Sequence, residues 1–475
     1  MMFTRSSARI TFLLALTLIA LIVPNLIRTS DTYIGEDPYL YSRLAEKINN
    51  NDVSYDDLSY SGRIFTYSLG QPLVFLFFTK FLPERFVVYI IPLIFALISL
   101  YLFYLILKEF YIEPNVIYLS LIILILSPPF IYIFTSYTKF TAITLILLLT
   151  IYLSLKKDKT SEFISYLLYF IIPFFGYQYS VFILLLSFIY FKKENNIKRF
   201  KGILLSSLAS LIIIYLPLII KYGFFELVKF DRYLKYKSLF SDLGSEFGTS
   251  IFILFLSFFG ISYLWKFKYK YTYVYLTLLL FIIFLFFLPS FIVYINFILA
   301  YLAALGIVHL LRSKWESETI RRLTMWLLII GVIFSAITFI NQVSQEKPNN
   351  NLYNALNYLK GYDSDKTVVF SHYSYGNLIN TIANKKNVMD TNFLYAPRLN
   401  QHYQDSQLLL NTRNADLASE LVKKYNIEYI LITKEMKQGL VWNQEDEGLL
   451  FVVNSANIYK RIYYNDEVEI WRIKE

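Results

Sequence analysis

The chain has no cysteine, only three histidines, and no glycine-rich loop of the kind that cradles phosphate. The first absence excludes disulfides and thiolate metal sites. With histidine confined to His309, His372 and His402, a histidine-rich metal centre or a Ser-His-Asp relay has little to build on. Charge is scarce too: 17% of the 475 residues are charged, whereas 56% are hydrophobic and 19% aromatic, proportions foreign to a soluble globular protein. The chemistry left open rests on carboxylates, hydroxyls and cations.

What the chain does have is apolar runs of membrane-spanning length, recurring from Arg9 to Ile340 between short polar clusters. This is the pattern of a polytopic α-helical membrane protein. The net charge of +10 then reflects Lys and Arg in cytoplasmic loops and calls for no nucleic acid. Arg5 and Arg9 precede the apolar stretch Ile10 to Ile27, which is longer than a signal-peptide core and lacks a small-x-small cleavage site; it predicts a retained first span with the N-terminus cytoplasmic. Further spans are expected near residues 86–108, 116–134, 138–155, 201–220, 249–265, 271–288, 290–311 and 320–341. Charge decides the stretch from Phe163 to Phe191. Lys156, Lys157 and Lys159 share a side with Lys192, Lys193, Lys198, Arg199 and Lys201 only if the chain crosses twice, turning at Pro173-Phe174-Phe175-Gly176-Tyr177. The total is about eleven transmembrane helices of roughly 20 residues or slightly fewer.

The transmembrane domain is expected over residues 1–343, with two long outer loops, 29–70 and 221–248. The first carries Asp31, Glu36, Asp37, Glu46, Asp52, Asp56 and Asp57; the second interleaves Lys221, Lys229, Arg232, Lys235 and Lys237 with aromatics before Ser241-Asp242-Leu243-Gly244-Ser245-Glu246. Cations held outside run against the positive-inside tendency and point to an anionic ligand, a phosphate or a lipid headgroup. Anchoring of an interfacial helix by Lys and Tyr is the plainer alternative. From residue 344 the composition becomes that of a soluble module. Strand-like runs at Thr367–Ser371, Ile427–Thr433, Leu449–Asn454 and Val468–Ile473 alternate with helix-like stretches at Tyr375–Ala383 and Ala415–Tyr425. They predict a C-terminal extracytoplasmic α/β domain over 344–475.

Asp37 stands just beyond the first span, where a lipid-borne substrate presents its head. Glycosyl transfer needs a carboxylate to orient or deprotonate an acceptor and positive charge on the departing phosphate. Asp37 and Glu246, in different outer loops, could converge for such work. The structural alternatives are an N-cap for Asp37, with Pro38 first in a helix whose apolar face is Leu40, Leu44 and Ile48, and a helix-dipole acid for Glu246.

In this order of parts the chain resembles the catalytic-subunit family of oligosaccharyltransferases, within the GT-C class of membrane glycosyltransferases. Glu36-Asp37-Pro38-Tyr39-Leu40-Tyr41-Ser42-Arg43 is similar to that family's first-loop acid with its following Pro, Tyr and Arg, and Leu243-Gly244-Ser245-Glu246 to its outer-loop motif ending in Glu. His372-Tyr373-Ser374-Tyr375-Gly376 sits where the family has Trp-Trp-Asp-Tyr-Gly, and Ile382-Ala383-Asn384-Lys385 with Asp390 continues the pattern. The resemblance implies an isoprenoid-linked sugar donor and a protein or glycolipid acceptor, with Asp37 and Glu246 as catalytic carboxylates and ligands of a divalent metal, Mg or Mn. It also places Glu36, Arg43, Tyr375 and Gly376 on the substrates. The chain departs from the family at three places. Thr138 and Phe140 stand where a second acidic motif is expected, which leaves metal dependence open. Ser374 replaces the acid that reads an Asn-x-Ser/Thr acceptor, and Tyr294-Ile295-Asn296 lies where a phosphate-binding Arg is expected, so that one of Lys139, Lys229, Arg232 or Lys235 would have to substitute. Two other readings stay beside the enzyme: a non-catalytic relative that binds lipid-linked glycans or organises envelope assembly, and a transporter, for which spans this poor in ionisable residues are unusual.

Overall fold

In an apolar medium a backbone N–H or C=O finds only other backbone groups to bond with, so uninterrupted apolar runs become helices. The computed structural model describes residues 2–223, 239–269, 272–362, 367–444, 446–455 and 458–474. Among the described residues five helices are long and apolar enough to cross a membrane: Ala8–Ile27, Glu84–Glu109, Ile197–Tyr222, Pro289–Arg312 and Glu318–Ser344. The predicted span near 116–134 is instead two helices, Pro114–Ile125 and Pro128–Thr135, bent by 61° at their junction. Its cause is local: a residue before proline is pushed out of the helical region, and Ser127 sits at ψ 135°. The expectation of about eleven full spans is not reproduced as a count. Gly70–Thr79, Thr141–Leu155, Ile251–Trp265 and Thr272–Phe287 are apolar but shorter. The chain between them folds as the predicted hairpin, Lys159–Ile171 and Tyr177–Lys193, with Ile172–Phe175 as the turn and Gly176 at φ 143°. Arg199 does more than mark a side of the membrane: its guanidinium donates to the carbonyls of Leu153 (3.0 Å) and Lys156, at the C-terminal end of Thr141–Leu155 where carbonyls lack helical partners.

The chain divides into two compact units. The first holds the membrane helices. Its tightest contact joins Ile251–Trp265 to Ile292–Arg312, and glycine makes it: a Cβ on Gly260 would lie 2.0 Å from the Leu302 carbonyl oxygen, and one on Gly306 2.2 Å from that of Leu256. Ser257 adds a hydrogen bond to the Leu299 carbonyl at 2.8 Å. Small residues that let helix backbones touch, with a hydroxyl bridging them, are the means by which helices associate where water supplies no hydrophobic drive. Gly260→Ala and Gly306→Ala are each expected to cost about 1–3 kcal/mol through overpacking, read as a lowered unfolding midpoint of purified protein. Gly361→Ala, where the nearest atom to a new Cβ is 3.5 Å away, is expected to leave the midpoint unchanged.

The second unit comprises Thr29–Tyr67, Glu346–Glu475 and the last turn of the helix ending at Tyr222. The first outer loop therefore belongs with the C-terminal module. Its core is a five-stranded sheet in the order Lys386–Asn387, Val368–Phe370, Ile427–Thr433, Val468–Ile473, Tyr459–Tyr464; the pairings that involve Val368–Phe370 are parallel and the others antiparallel. Three predicted strands are present. Leu449–Asn454 is not one of them: it lies in the helix Gly448–Ser455, burying Leu449, Leu450, Val452 and Val453 while Phe451 is exposed, a helical face and not an alternation. The strand Tyr459–Tyr464 takes the sheet position that sequence periodicity does not reveal.

Candidate functional site

Asp37 is the first residue of the helix Asp37–Asn49, with Pro38 in its first turn and Leu40 and Leu44 buried on the expected face. The cap position falls one residue earlier, on Glu36, whose side chain makes no capping hydrogen bond. Asp37 is thus not spent as an N-cap, although a negative charge at this end is favoured by the helix dipole. Glu36 is instead tied to the C-terminal module: its Oε1 accepts from the Thr391 hydroxyl at 3.2 Å, and Asn377 Nδ2 donates to that hydroxyl at 2.7 Å. Asn392 Nδ2 in turn donates to Asn377 Oδ1 at 2.8 Å. The first-loop acids and the Tyr375-Gly376 turn, far apart in sequence, are therefore brought together within one unit.

Gly376 is required there, since a Cβ would meet the Met389 carbonyl oxygen at 2.3 Å and the Asp390 Cβ at 2.6 Å. Tyr375 is 1% exposed and sits in the domain core. Its hydroxyl donates to Glu435 (2.7 Å) and takes hydrogen bonds from Lys347 (2.7 Å) and Thr433 (2.9 Å). Burial pushes it up to about 12, so it stays protonated at neutral pH. His372 Nδ1 and the Ser374 hydroxyl pair at 2.8 Å. Burial, with Lys347 nearby, lowers His372 to about 4 and keeps it neutral.

Beneath this turn, Asp390 gathers the segment that docks on it. Fully buried, its carboxylate accepts from Ser59 (2.6 Å), Asn387 (3.3 Å), Asn380 (3.4 Å) and the Asn392 amide (2.8 Å). Asn387 takes the Tyr60 amide at 2.7 Å and donates to the Gly376 carbonyl at 3.0 Å. Arg63, 3% exposed, donates to the Asn392 and Leu394 carbonyls. Arg43, predicted to touch substrate, has both terminal nitrogens on the buried Asp56 carboxylate, at 2.9 and 2.7 Å. The Tyr67 hydroxyl donates to the same carboxylate at 2.6 Å, and the Leu58 backbone N–H donates to it at 3.3 Å. Burial alone would raise the Asp56 carboxyl, but the Arg43 charge and these hydrogen bonds outweigh it and hold it below the ordinary carboxylate range. Asp56, Ser59, Arg63 and Asn387 carry no sequence motif; only their contacts reveal them.

In the first unit Glu246 is exposed, and among the described residues it makes no hydrogen bond or ion pair. The helix it precedes, Ile251–Trp265, is capped by others: Ser250 takes the Phe252 amide (3.2 Å), and Asp242 takes the Ile251 amide (2.7 Å) and the Ser335 hydroxyl (2.6 Å). The role of helix-dipole acid expected for Glu246 falls to Asp242. Phe247, its neighbour, packs on Tyr132 and Phe140 with ring centroids 5.9 and 6.1 Å apart. Thr138 and Phe140 bring no carboxylate to this corner; Phe140 is 1% exposed, and Thr138 bonds through its backbone to the Thr141 hydroxyl at 2.8 Å. Asn296 is buried between Ser127 (2.7 Å) and Thr249 (3.5 Å). Lys139 is exposed beside Phe140, its ammonium 5.4 Å from the ring centroid. Lys229, Arg232, Lys235 and Lys237 lie outside the described residues. Among the described residues no three of His, Asp and Glu gather as metal ligands.

No protein-family profile matches the chain, and no curated protein matches it in sequence. Solved structures match its fold. An oligosaccharyltransferase of Archaeoglobus fulgidus superposes with a TM-score of 0.63 at 14% identity, over 90% of this chain and 70% of that one. The arabinofuranosyltransferase AftD from Mycobacteria does so with 0.60 at 10% identity, over 98% of this chain and 40% of its own. ArnT from Cupriavidus metallidurans, bound to undecaprenyl phosphate, gives 0.52 at 10% identity over 98% of both chains. Other structures of the A. fulgidus protein hold a tethered acceptor peptide with the NVT sequon, Zn and sulfate, or an inhibitory peptide with a dolichol-phosphate.

Proposed function

From a chain that has the fold of the GT-C membrane glycosyltransferases, we propose a membrane enzyme that moves a sugar or oligosaccharide from an isoprenoid-phosphate-linked donor to a protein or glycolipid acceptor outside the cytoplasm. The N-terminus is cytoplasmic and the C-terminal module extracytoplasmic in this reading, with membrane lipids around the helices. One observation carries it: Glu36, next to Asp37, is bound through Thr391 to Asn377 at the Tyr375-Gly376 turn. A hydrogen-bond chain that holds a first-loop acid on the module's turn is what positioning an acceptor beside a carboxylate requires. Asp37 takes the proton of the acceptor atom as that atom bonds to the anomeric carbon. The bond from that carbon to the phosphate oxygen breaks, and the phosphate leaves with the electron pair, its charge met by cations of the chain.

The alternative is a chain that kept the fold to bind lipid-linked glycans or organise envelope assembly. It is favoured by the commitment of Arg43 to Asp56 and of Tyr375 to the core, neither of which needs a substrate. Membranes containing the chain, given an isoprenoid-phosphate-linked labelled sugar, decide between them. The enzyme moves label into the protein or the glycolipid fraction, and the divided products name the acceptor class. Donor that stays intact over hours while bound to the protein supports the binding role.

A further inference from the structure

We propose that the outer edge of the sheet in the second unit, along residues 459–461, takes an extended acidic segment of a partner protein as an added strand. The inference goes beyond the glycosyltransferase reading and stands without it. Tyr459–Tyr464 ends the strand order, and among the described residues its one strand neighbour is Val468–Ile473. The Lys474 amide donates to the Ile458 carbonyl at 2.8 Å. Residues of an antiparallel ladder bond toward the neighbour and away from it in turn, so Lys460 and Arg472 form a bonded pair while the N–H and C=O of Tyr459 and Arg461 point outward. The bulge at Ile462, whose carbonyl takes the Tyr358 hydroxyl at 3.2 Å, closes this open stretch at one end.

Charge decides what this edge takes. Lys460, Arg461 and Arg472 are exposed, and among the described residues their side chains make no hydrogen bond or ion pair. Lys460 lies directly opposite Arg472, an apposition of like charges that costs stability. On the other face the Arg461 guanidinium stands 4.7 Å from the centroid of the Tyr464 ring and 5.7 Å from that of Trp471. Two flanking rings restrict the guanidinium and leave its N–H donors open, an arrangement suited to a carboxylate. Glu469, the acid on that face, is already used by Lys437 at 2.5 Å and by Trp471 Nε1 at 3.0 Å.

Cations on an edge strand guard it against pairing with another copy, and two copies meeting here would set Lys460 and Arg461 against each other. The same charges admit an acidic strand. Lys460 and Arg461 are consecutive and so point to opposite faces of the sheet. A strand lying along the edge sends alternate side chains to both faces, can set a carboxylate beside each cation, and meets the outward N–H and C=O groups with its own. A flat anionic membrane surface offers no such ladder.

The test is binding, by the full chain in phosphatidylcholine nanodiscs, of a short fluorescent peptide with Glu-Glu at its centre and Val and Thr around it, beside the same peptide with Gln-Gln. The acidic peptide is expected to bind roughly tenfold or more tightly than the Gln-Gln peptide, and the amides of residues 459–461 to gain protection from hydrogen exchange. Lys460→Gln combined with Arg461→Gln removes that preference and leaves the unfolding midpoint unchanged, because both side chains are exposed. A third peptide with Pro on both sides of Glu-Glu keeps the charge and loses backbone donors; it is expected to bind no better than the Gln-Gln peptide. Equal acidic-peptide affinity in wild type and the double variant, or no binding of any peptide at ~1 mM, overturns the proposal. A proline peptide that binds as tightly as its parent reduces the edge to an ionic patch and overturns strand addition. A wild type that ignores the peptides but pellets with phosphatidylglycerol vesicles, and does so through Lys460 and Arg461, gives the edge to an anionic membrane and likewise overturns it.

Discussion

Replacing Asp37 by Asn is expected to lower sugar transfer by roughly 10²–10⁴ with little loss of protein. The substitution keeps the shape of the side chain and removes only its charge and its ability to take a proton. The helix Asp37–Asn49 does not depend on it: the cap position is Glu36, and the burial that holds the helix comes from Leu40, Tyr41, Leu44 and Ala45. Loss of favourable charge at the helix start amounts to about 0.3–1 kcal/mol, too little to unfold the unit. A large fall in transfer with an unchanged unfolding midpoint therefore assigns the effect to chemistry. A parallel fall in both assigns it to folding.

Asp56→Asn is expected to produce the largest loss of stability, about 3–5 kcal/mol, measured by denaturant unfolding of the purified chain. The Asp56 side chain is fully buried and that of Arg43 is 11% exposed, so the neutral amide leaves a guanidinium in the interior without its counter-charge and weakens the bonds from Tyr67 and the Leu58 amide. Since folded domains are stable by only about 5–15 kcal/mol, the effect takes a large share of the whole. Removing both charges, as in the double substitution Arg43→Met with Asp56→Leu, should recover part of the loss, because the desolvation of two ions disappears together. The same pair fixes a pH dependence. The folded carboxyl lies below its unfolded value, so its contribution is complete above the unfolded carboxylate range and is lost as pH falls through the folded value. Wild type should thus lose stability on acidification more steeply than Asp56→Asn, whose amide does not titrate.

The start of a helix at Asp37-Pro38 was legible because an acid before proline is a local signal that needs no partner. The hairpin turn at Pro173–Tyr177 was legible for a similar reason: charges on both sides admit only an even number of crossings. The contact of Ser59 with Asp390 was not, since it spans 331 residues, and polar side chains in a loop follow no period that announces a partner. Arg43 shows the other side of this. Its place in a motif pointed to substrate, while its nearer use was Asp56, thirteen residues on, where burial and geometry decide and sequence is silent. At Leu449–Asn454 an unbroken apolar run fits a buried strand and a buried helix equally, and tertiary packing chose the helix. The bend at Ser127-Pro128-Pro129 was written in the prolines, but its consequence, one predicted span made of two helices, appears only in three dimensions.

The decisive measurement is the turnover rate of label from an isoprenoid-phosphate-linked sugar, at donor concentrations that saturate binding to both wild type and Asp37→Asn. Transfer by wild type, with turnover by the variant lower by roughly 10² or more at equal donor occupancy, is the predicted result. Equal turnover in the two proteins, or donor bound by both and transferred by neither, would contradict an enzyme built around Asp37.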